Sequence, residues 1–327
     1  MTASGSIAIV SEETCKKVIS RAAAFDAVEA VFAAMARGDA YNFPVVREAI
    51  GYADALYGFK SGFDRAGLAL GVKSGGYWPG NMSKGLTNHQ STVMLFNPDT
   101  GQLKALVGGN YLTAVRTAAA SSVSIAHLAR KDSKVIGMVG AGHQSAFQLR
   151  AALEQMKFEK IVGWNIEPSM LKTLETVASE AGLPFEAVDR ETLGRMSDVI
   201  ITITSAHEPL LMKEWVKPGT HIACMGTDTK GKQEVDPALV AAATVFADEI
   251  AQSITIGECQ HAIQKGLIKE SDITPIGAVI NKTHKGRSSA EEITLFDGTG
   301  VGLQDLAVAS AAVELALKEG NVPMVSL

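Results

Sequence analysis

Between residues 134 and 247 short apolar runs alternate with stretches of helical length, and this rhythm restricts the fold more than any other feature of the chain. Residues 134–139, 160–164, 185–188, 198–202, 221–225 and 244–247 read as strands, and 144–156 and 169–180 as helices. Strands separated by helices of ten or more residues pair in parallel through right-handed crossovers. The expectation is therefore an α/β unit over residues 119–300.

The first strand of the series runs straight into Gly140-Ala141-Gly142-His143-Gln144-Ser145. A first glycine permits the tight turn, and a second lets a pyrophosphate approach with no side chain in the way. N–H groups of the helix that follows then face the phosphate charge. Ser145 stands where a third glycine is usual and is still small enough for close packing. A G-x-G turn can be purely structural, but its place between strand and helix in a βα series favours a dinucleotide. Roughly 20 residues on, where the ribose is met, stands Trp164-Asn165-Ile166-Glu167-Pro168. Asn165 can bond a hydroxyl, Glu167 repels a 2′-phosphate, and no Arg or Lys is adjacent in sequence. The pattern reads as NAD, with NADP as the alternative. Gly226 to Lys232 imitates a triphosphate loop, but Gln233 stands where the magnesium-binding hydroxyl belongs. Asp228 and Lys232 matter instead as polar groups at the C-terminal end of a parallel strand, where α/β sheets bind ligands.

The chain's 327 residues suffice for two domains. A net charge of -5 gives no general attraction to nucleic acid or anionic membranes. Cys15, Cys224 and Cys259 lie far apart without C-x-x-C spacing, and the seven histidines show no ligand spacing, so neither a disulfide scaffold nor a metal site is expected. Glu12 and Glu13 interrupt the window a secretory signal would need, and no apolar run reaches the ~20 residues of a membrane span. A cytoplasmic protein is expected.

The first third has a different character. Ile7 to Val10 reads as a strand, Ser11 as a helix cap, and residues 22–37 as a helix whose Val28, Val31, Phe32 and Met35 share a face before Gly38 stops it. Glycine-punctuated apolar segments follow, including a hairpin of 92–96 and 103–107 around Asn97-Pro98-Asp99-Thr100-Gly101. This reads as α+β with a mostly antiparallel sheet. A helix is expected over 117–128, and an apolar helix over 303–317 returning to the first domain. The domains are thus 1–118 with 301–327, and 119–300. Arg47, Lys73 and Arg116 each interrupt apolar or small-residue stretches. A cation near a buried surface normally requires an anion, and a substrate carboxylate would supply one. Solvated surface charge or an internal salt bridge are the alternatives.

Several ungapped segments resemble the ornithine cyclodeaminase/mu-crystallin family in the right order. They are Tyr57-Gly58-Phe59-Lys60, Leu70-Gly71-Val72-Lys73, Leu112 to Ala119, Val139 to Ser145, Met225-Gly226-Thr227-Asp228 with Lys232 and Glu234, and Thr294 to Gly300. The resemblance implies a Rossmann-type doubly wound parallel sheet plus a discontinuous α+β domain that binds substrate and forms a homodimer. It implies that Arg47, Lys73 and Arg116 bind the substrate's α-carboxylate and that Asp228 is the acid/base, with Lys73 also at the catalytic centre. Gly140, Gly142, His143, Gln144 and Asn165 would hold the dinucleotide. Thr117, Thr204, Ser205 and Thr299 would approach the nicotinamide half, with Met225, Lys232 and Gly300 beside them.

Members of the family handle hydride at an amino- or imino-acid α-carbon. Around the glycine loop this chain brings Lys84, Asn88 and His89 towards the substrate side chain, cationic groups that suit a second carboxylate better than an amine. The resemblance is accordingly strongest to members that reduce iminosuccinate to L-aspartate, on a small anionic imino- or keto-acid substrate. An alanine dehydrogenase, an ornithine cyclodeaminase-type lyase and a non-enzymatic NAD(P)H-binding protein are the competing readings.

Overall fold

The computed structural model describes residues 6–320 and 322–326. These divide into two compact units, one running to Arg116 and resuming at Val301, the other Thr117–Gly300.

The first unit is built on one sheet. Its strands are β1 (Ser6–Val10), β2 (Ala40–Asn42), β3 (Val46–Ala49), β4 (Leu56–Asp64), β5 (Ala69–Tyr77), β6 (His89–Phe96) and β7 (Leu103–Gly108), with a closing strand Met324–Ser326. The order is closing strand, β1, β7, β6, β5, β4, β2, and β3 pairs with β4 off this path. β4 to β7 form an antiparallel meander, whereas β1 joins β7 in parallel. Ser11 caps α1 (Glu12–Val18) and Ser20 caps α2 (Arg21–Arg37), which ends on Gly38 in the left-handed conformation at φ 75°. Val28, Val31 and Phe32 of α2 are buried. The closing helix, Gly302–Glu319, packs on α2, β4 and β5. It does so over Gly62 and Gly71, which face each other across the β4–β5 ladder. A Cβ on Gly71 would stand 2.8 Å from the Leu306 side chain, and one on Gly62 3.0 Å from that of Leu303. The glycine pair sets how closely the helix lies on the sheet.

Helix α3 (Asn110–Leu128) starts earlier than the expected 117. Its first turn is stabilised from a distance: the Glu12 carboxylate accepts from the backbone N–H of Asn110 at 2.6 Å and of Tyr111 at 2.9 Å. A capping carboxylate about a hundred residues away leaves no local signal. In consequence Arg116 sits in the second turn of α3 and not at its start.

The second unit is an eight-stranded sheet in the order β10-β9-β8-β11-β13-β17-β15-β16. The strands are β8 (Val135–Val139), β9 (Lys160–Trp164), β10 (Phe185–Ala187), β11 (Val199–Thr202), β13 (His221–Cys224), β15 (Thr244–Ala247), β16 (Ile273–Pro275) and β17 (Thr294–Asp297). Every pairing in it is parallel. β12 (His207–Leu211) and β14 (Gln233–Val235) form a separate two-stranded ribbon. The doubly wound parallel sheet is thus present. The strand order reverses beside β8, whose neighbours are β9 and β11, so the switch point lies at the C-terminal ends of β8 and β11. The sequence reading missed β16 and β17. The latter is a four-residue buried run that enters between β13 and β15, out of chain order. Among the described residues no helix is long and apolar enough to cross a membrane.

Replacing Glu12 with Ala should destabilise the first unit by about 1 kcal/mol, the usual worth of a helix-terminal carboxylate cap. A urea titration would show a lowered midpoint. An unchanged midpoint would mean that the first turn of α3 does not depend on Glu12.

Candidate active site

In the first unit, cations gather around one buried carboxylate. Lys73, in mid-β5, donates from Nζ to Thr113 Oγ1 at 2.7 Å and to Asp305 Oδ1 at 3.1 Å. Arg116 donates from Nε to the same Asp305 oxygen at 3.1 Å and from Nη1 to Gln304 Oε1 at 2.9 Å. Lys73 and Arg116 are 6% exposed and Asp305 is 0% exposed, so all three are held out of water. The internal salt bridge, given above as an alternative, is present for two of them, because Asp305 supplies the anion. Asp305 Oδ2 has no hydrogen-bond partner among the described residues.

The charges act on one another in a definite way. Burial raises the Asp305 carboxyl, but Arg116, Lys73 and Lys60 outweigh it and hold the group below the usual carboxylate range. Burial pushes the Lys73 ammonium down to about 7; Asp305 opposes this, while Arg116 and Lys60 add to it. His89 is pushed down to about 3, by burial first and then by the Lys73 charge. It is a neutral imidazole at physiological pH, so its reading as an extra cation is corrected: an imidazole facing this cluster cannot keep a second proton.

Strand register explains which residues share the face. Lys60 of β4 lies directly opposite Lys73 of β5, Gly58 lies opposite Gly75, and Tyr77 opposite His89 of β6. Arg47 of β3 lies opposite Gly58. Side chains alternate along a strand, so Arg47, Lys60, Lys73 and His89 rise from the same side of the sheet. Arg47 itself is exposed. Lys84 is also exposed, in a short 3-10 turn. Asn88 bonds Tyr77 Oη and accepts from the Met82 N–H, which ties it to the glycine loop rather than to the cluster. Lys60, Thr113, Gln304 and Asp305 escaped the sequence reading. Asp305 left one signal, as a lone carboxylate in the first turn of an otherwise apolar helix.

In the second unit the glycine turn closes β8. Gly140 has φ 107°, and a Cβ there would lie 2.6 Å from the Ile203 carbonyl oxygen, so no other residue fits. A Cβ on Gly142 would meet nothing within 4 Å, which leaves that side of the turn open to a ligand. Ser145 is buried and donates to the Gly142 carbonyl at 2.7 Å. Gln144 Oε1 is a buried acceptor without a partner among the described residues. His143 is exposed, its ring 5.6 Å from that of Phe147. Asn165 accepts from the Ala141 N–H at 2.9 Å and donates to the Glu167 carbonyl at 2.8 Å, bracing the turn. Sequence adjacency offered no cation near this loop, yet the fold brings Arg190 5.2 Å over the Trp164 ring.

Two buried carboxylates tie the neighbouring loops together. Glu234 accepts from Thr202 Oγ1 and the Thr204 N–H, both at 2.6 Å, and from the Gly226 N–H at 2.9 Å. Glu258 accepts from Thr227 Oγ1 at 2.5 Å and from the N–H groups of Glu234 and Val235. Burial and the Glu234 charge push Glu258 up to about 8. Asp228 emerges from this base with its side chain one-third exposed, 2.8 Å from Lys232 Nζ. Lys232 also donates to the Gly226 carbonyl, so its cation serves this loop. Ser205 is exposed beside Thr204. Met225 is buried against Gly298, where a Cβ would stand 2.6 Å from its sulfur. Asp248 holds Thr299 through Oγ1 at 2.8 Å and Gly300 through its N–H at 2.7 Å. Thr117, 8% exposed, follows Arg116 on α3.

Comparison with known proteins bears on both groups of residues. Residues 7–320 match the profile of the ornithine cyclodeaminase/mu-crystallin family. An iminosuccinate reductase of Paracoccus denitrificans is 63% identical over 95% of this chain and 97% of that protein. The crystal structure of the Paracoccus denitrificans iminosuccinate reductase in complex with NAD+ superposes with a TM-score of 0.96 at 61% identity, covering 98% of this chain and all of the other. An archaeal alanine dehydrogenase dimer with bound NAD gives a TM-score of 0.92 at 32% identity, over 98% and 99% of the two chains. The chain belongs to the ornithine cyclodeaminase/mu-crystallin family.

Proposed function

We propose that this chain is an NAD(H)-dependent imine reductase that converts iminosuccinate, the imine of oxaloacetate and ammonia, to aspartate. The observation that carries the reading is the buried centre of Lys73 and Arg116 on a single Asp305 carboxylate. One carboxylate serves two basic side chains there, so an incoming anion is matched by the proton that Lys73 then keeps. Its likeness at 63% identity to an iminosuccinate reductase supports the substrate.

The second unit fits a dinucleotide on its own features. The open side of Gly142 and the partnerless buried oxygen of Gln144 suit a ligand at the β8 turn. Glu167, exposed after β9, disfavours a 2′-phosphate and supports NAD over NADP. NADH supplies the hydride that reduces the imine carbon. Arg47, Lys73 and Arg116 would hold the α-carboxylate, Arg116 through the guanidinium edge that Asp305 and Gln304 do not use. Asp228, oriented by Lys232, would deliver or hold the proton at the imine nitrogen. Thr204, Ser205, Thr299 and Gly300 would surround the nicotinamide half, on loops fixed by Glu234 and Asp248. Exposed Tyr41, Phe43, Val46, Ile50 and Phe59 form an apolar border on the β2–β4 side of the first unit. Such a border supports a homodimer formed through this unit, and the archaeal alanine dehydrogenase is a dimer. A small-metabolite enzyme of this kind belongs in the cytoplasm.

NADH oxidation followed at 340 nm with ammonium and a panel of oxaloacetate, pyruvate, glyoxylate and 2-oxoglutarate tests the assignment. Ammonium-dependent oxidation should be fastest with oxaloacetate. Activity confined to pyruvate would make the protein an alanine dehydrogenase. Ammonia release from ornithine with no net change in NADH would make it a cyclodeaminase. Replacing Asp228 with Asn should lower kcat by about a hundredfold or more, the usual worth of a positioned acid or base. NADH affinity, read by fluorescence titration, should stay within about twofold while kcat falls. Full turnover in this variant would remove Asp228 from the proton transfer.

A further inference from the structure

Arg190 is a half-buried cation of the second unit held by two indole rings rather than by an acid. Its guanidinium carbon lies 5.2 Å from the centre of the Trp164 ring and 5.9 Å from that of Trp215. Among the described residues its side chain has no hydrogen bond and no ion pair. The adjacent acid is occupied: Asp189 accepts from the Thr192 N–H at 2.8 Å through one oxygen and from Thr192 Oγ1 at 2.9 Å through the other. Arg190 opens the helix Arg190–Met196, where a cation meets the positive end of the helix dipole. Helix stability therefore does not account for it. Contact with an indole ring uses the charge of a guanidinium and leaves its N–H groups to another partner.

The position in the fold identifies that partner. Trp164 ends β9, and Asn165 after it accepts from the Ala141 N–H inside the glycine turn. In a parallel sheet of this kind the end of this strand receives the adenosine ribose of a dinucleotide, and an arginine nearby accommodates a 2′-phosphate. The acid nearest to Asn165 in sequence is the exposed Glu167, whose carboxylate accepts from the Ser169 hydroxyl at 2.9 Å and its N–H at 3.4 Å. It repels a 2′-phosphate through space, and the Arg190 charge offsets that repulsion. We propose that Arg190 binds the 2′-phosphate of NADP(H), so that the protein takes NADPH as a second hydride donor beside NADH. The proposal rests on the dinucleotide site assigned above and extends it. Hydride and proton go to the same atoms of the imine, NADPH is oxidised to NADP+, and Glu167 keeps NADH the preferred donor.

Adenosine 5′-monophosphate and adenosine 2′,5′-bisphosphate differ only in the 2′-phosphate, and calorimetry with both isolates the contact. The ratio of their affinities is measured on wild type, Arg190→Met and Arg190→Lys, and the NADPH to NADH ratio by fluorescence titration on the same proteins. Arg190→Met should lower both ratios about tenfold, equivalent to ~1.4 kcal/mol. Arg190→Lys, which keeps the charge, should recover part of the loss. A wild-type protein that binds NADH but not NADPH would overturn the proposal, as would ratios left unchanged by Arg190→Met. Failure to bind NADH and adenosine 5′-monophosphate would instead defeat the dinucleotide site itself, and the proposal with it.

Discussion

The shared carboxylate of Asp305 is the interaction on which the rest of this architecture depends. It is fully buried, it bonds two cations through one oxygen, and it is carried by the first turn of a helix some two hundred residues away in sequence. Removing one member of such a buried network typically costs 3–5 kcal/mol, because the partner charge is then left uncompensated in a low dielectric. Stability alone does not explain the arrangement, since apolar side chains would fill the volume at less cost. What the network provides is a lysine and an arginine held in fixed geometry and already stripped of water. The close seat of the closing helix on Gly62 and Gly71 is what brings Asp305 within reach of Lys73.

The second unit solves a matching problem with the opposite sign. Its loops at the C-terminal ends of β11 and β13 are irregular and would hold poorly by backbone bonds alone. Glu234 and Glu258 occupy their interior and accept from N–H and hydroxyl groups of both loops. Burial raises both carboxyls, so they favour the proton more than free glutamates do. Asp228, by contrast, stands partly in solvent with its own cation, Lys232. Glu234 and Glu258 thus build the scaffold, while Asp228 stands at its surface paired with Lys232.

The sequence disclosed what is encoded locally. The βα alternation and the Gly140 turn were legible because period, turn chemistry and helix length are all properties of neighbouring residues. Hidden were features set by distant partners. The start of α3 depends on Glu12, β17 enters its sheet out of chain order, and Asp305 meets Lys73 across 232 positions. An internal salt bridge stood among the readings of Lys73 and Arg116, but nothing local marked Asp305 as its carboxylate. His89 was misjudged for a related reason: a histidine's charge depends on its neighbours, and the β5–β6 register that supplies them is invisible until the hairpin is built.

The account's central claim is that this buried centre receives a substrate carboxylate, and proton uptake reports on it directly. Without an anion Lys73 titrates at about 7, so at pH 8 it is mostly neutral. A carboxylate beside it favours the charged form and raises that value. Binding must therefore take up a proton, and affinity must weaken as pH rises above about 7. Calorimetry of succinate binding at pH 8 in two buffers of different ionisation enthalpy measures the uptake. The account predicts a substantial fraction of a proton per site, lost when Lys73 is replaced by Arg, whose charge does not titrate in this range. Binding with no proton uptake in the wild-type protein would contradict it.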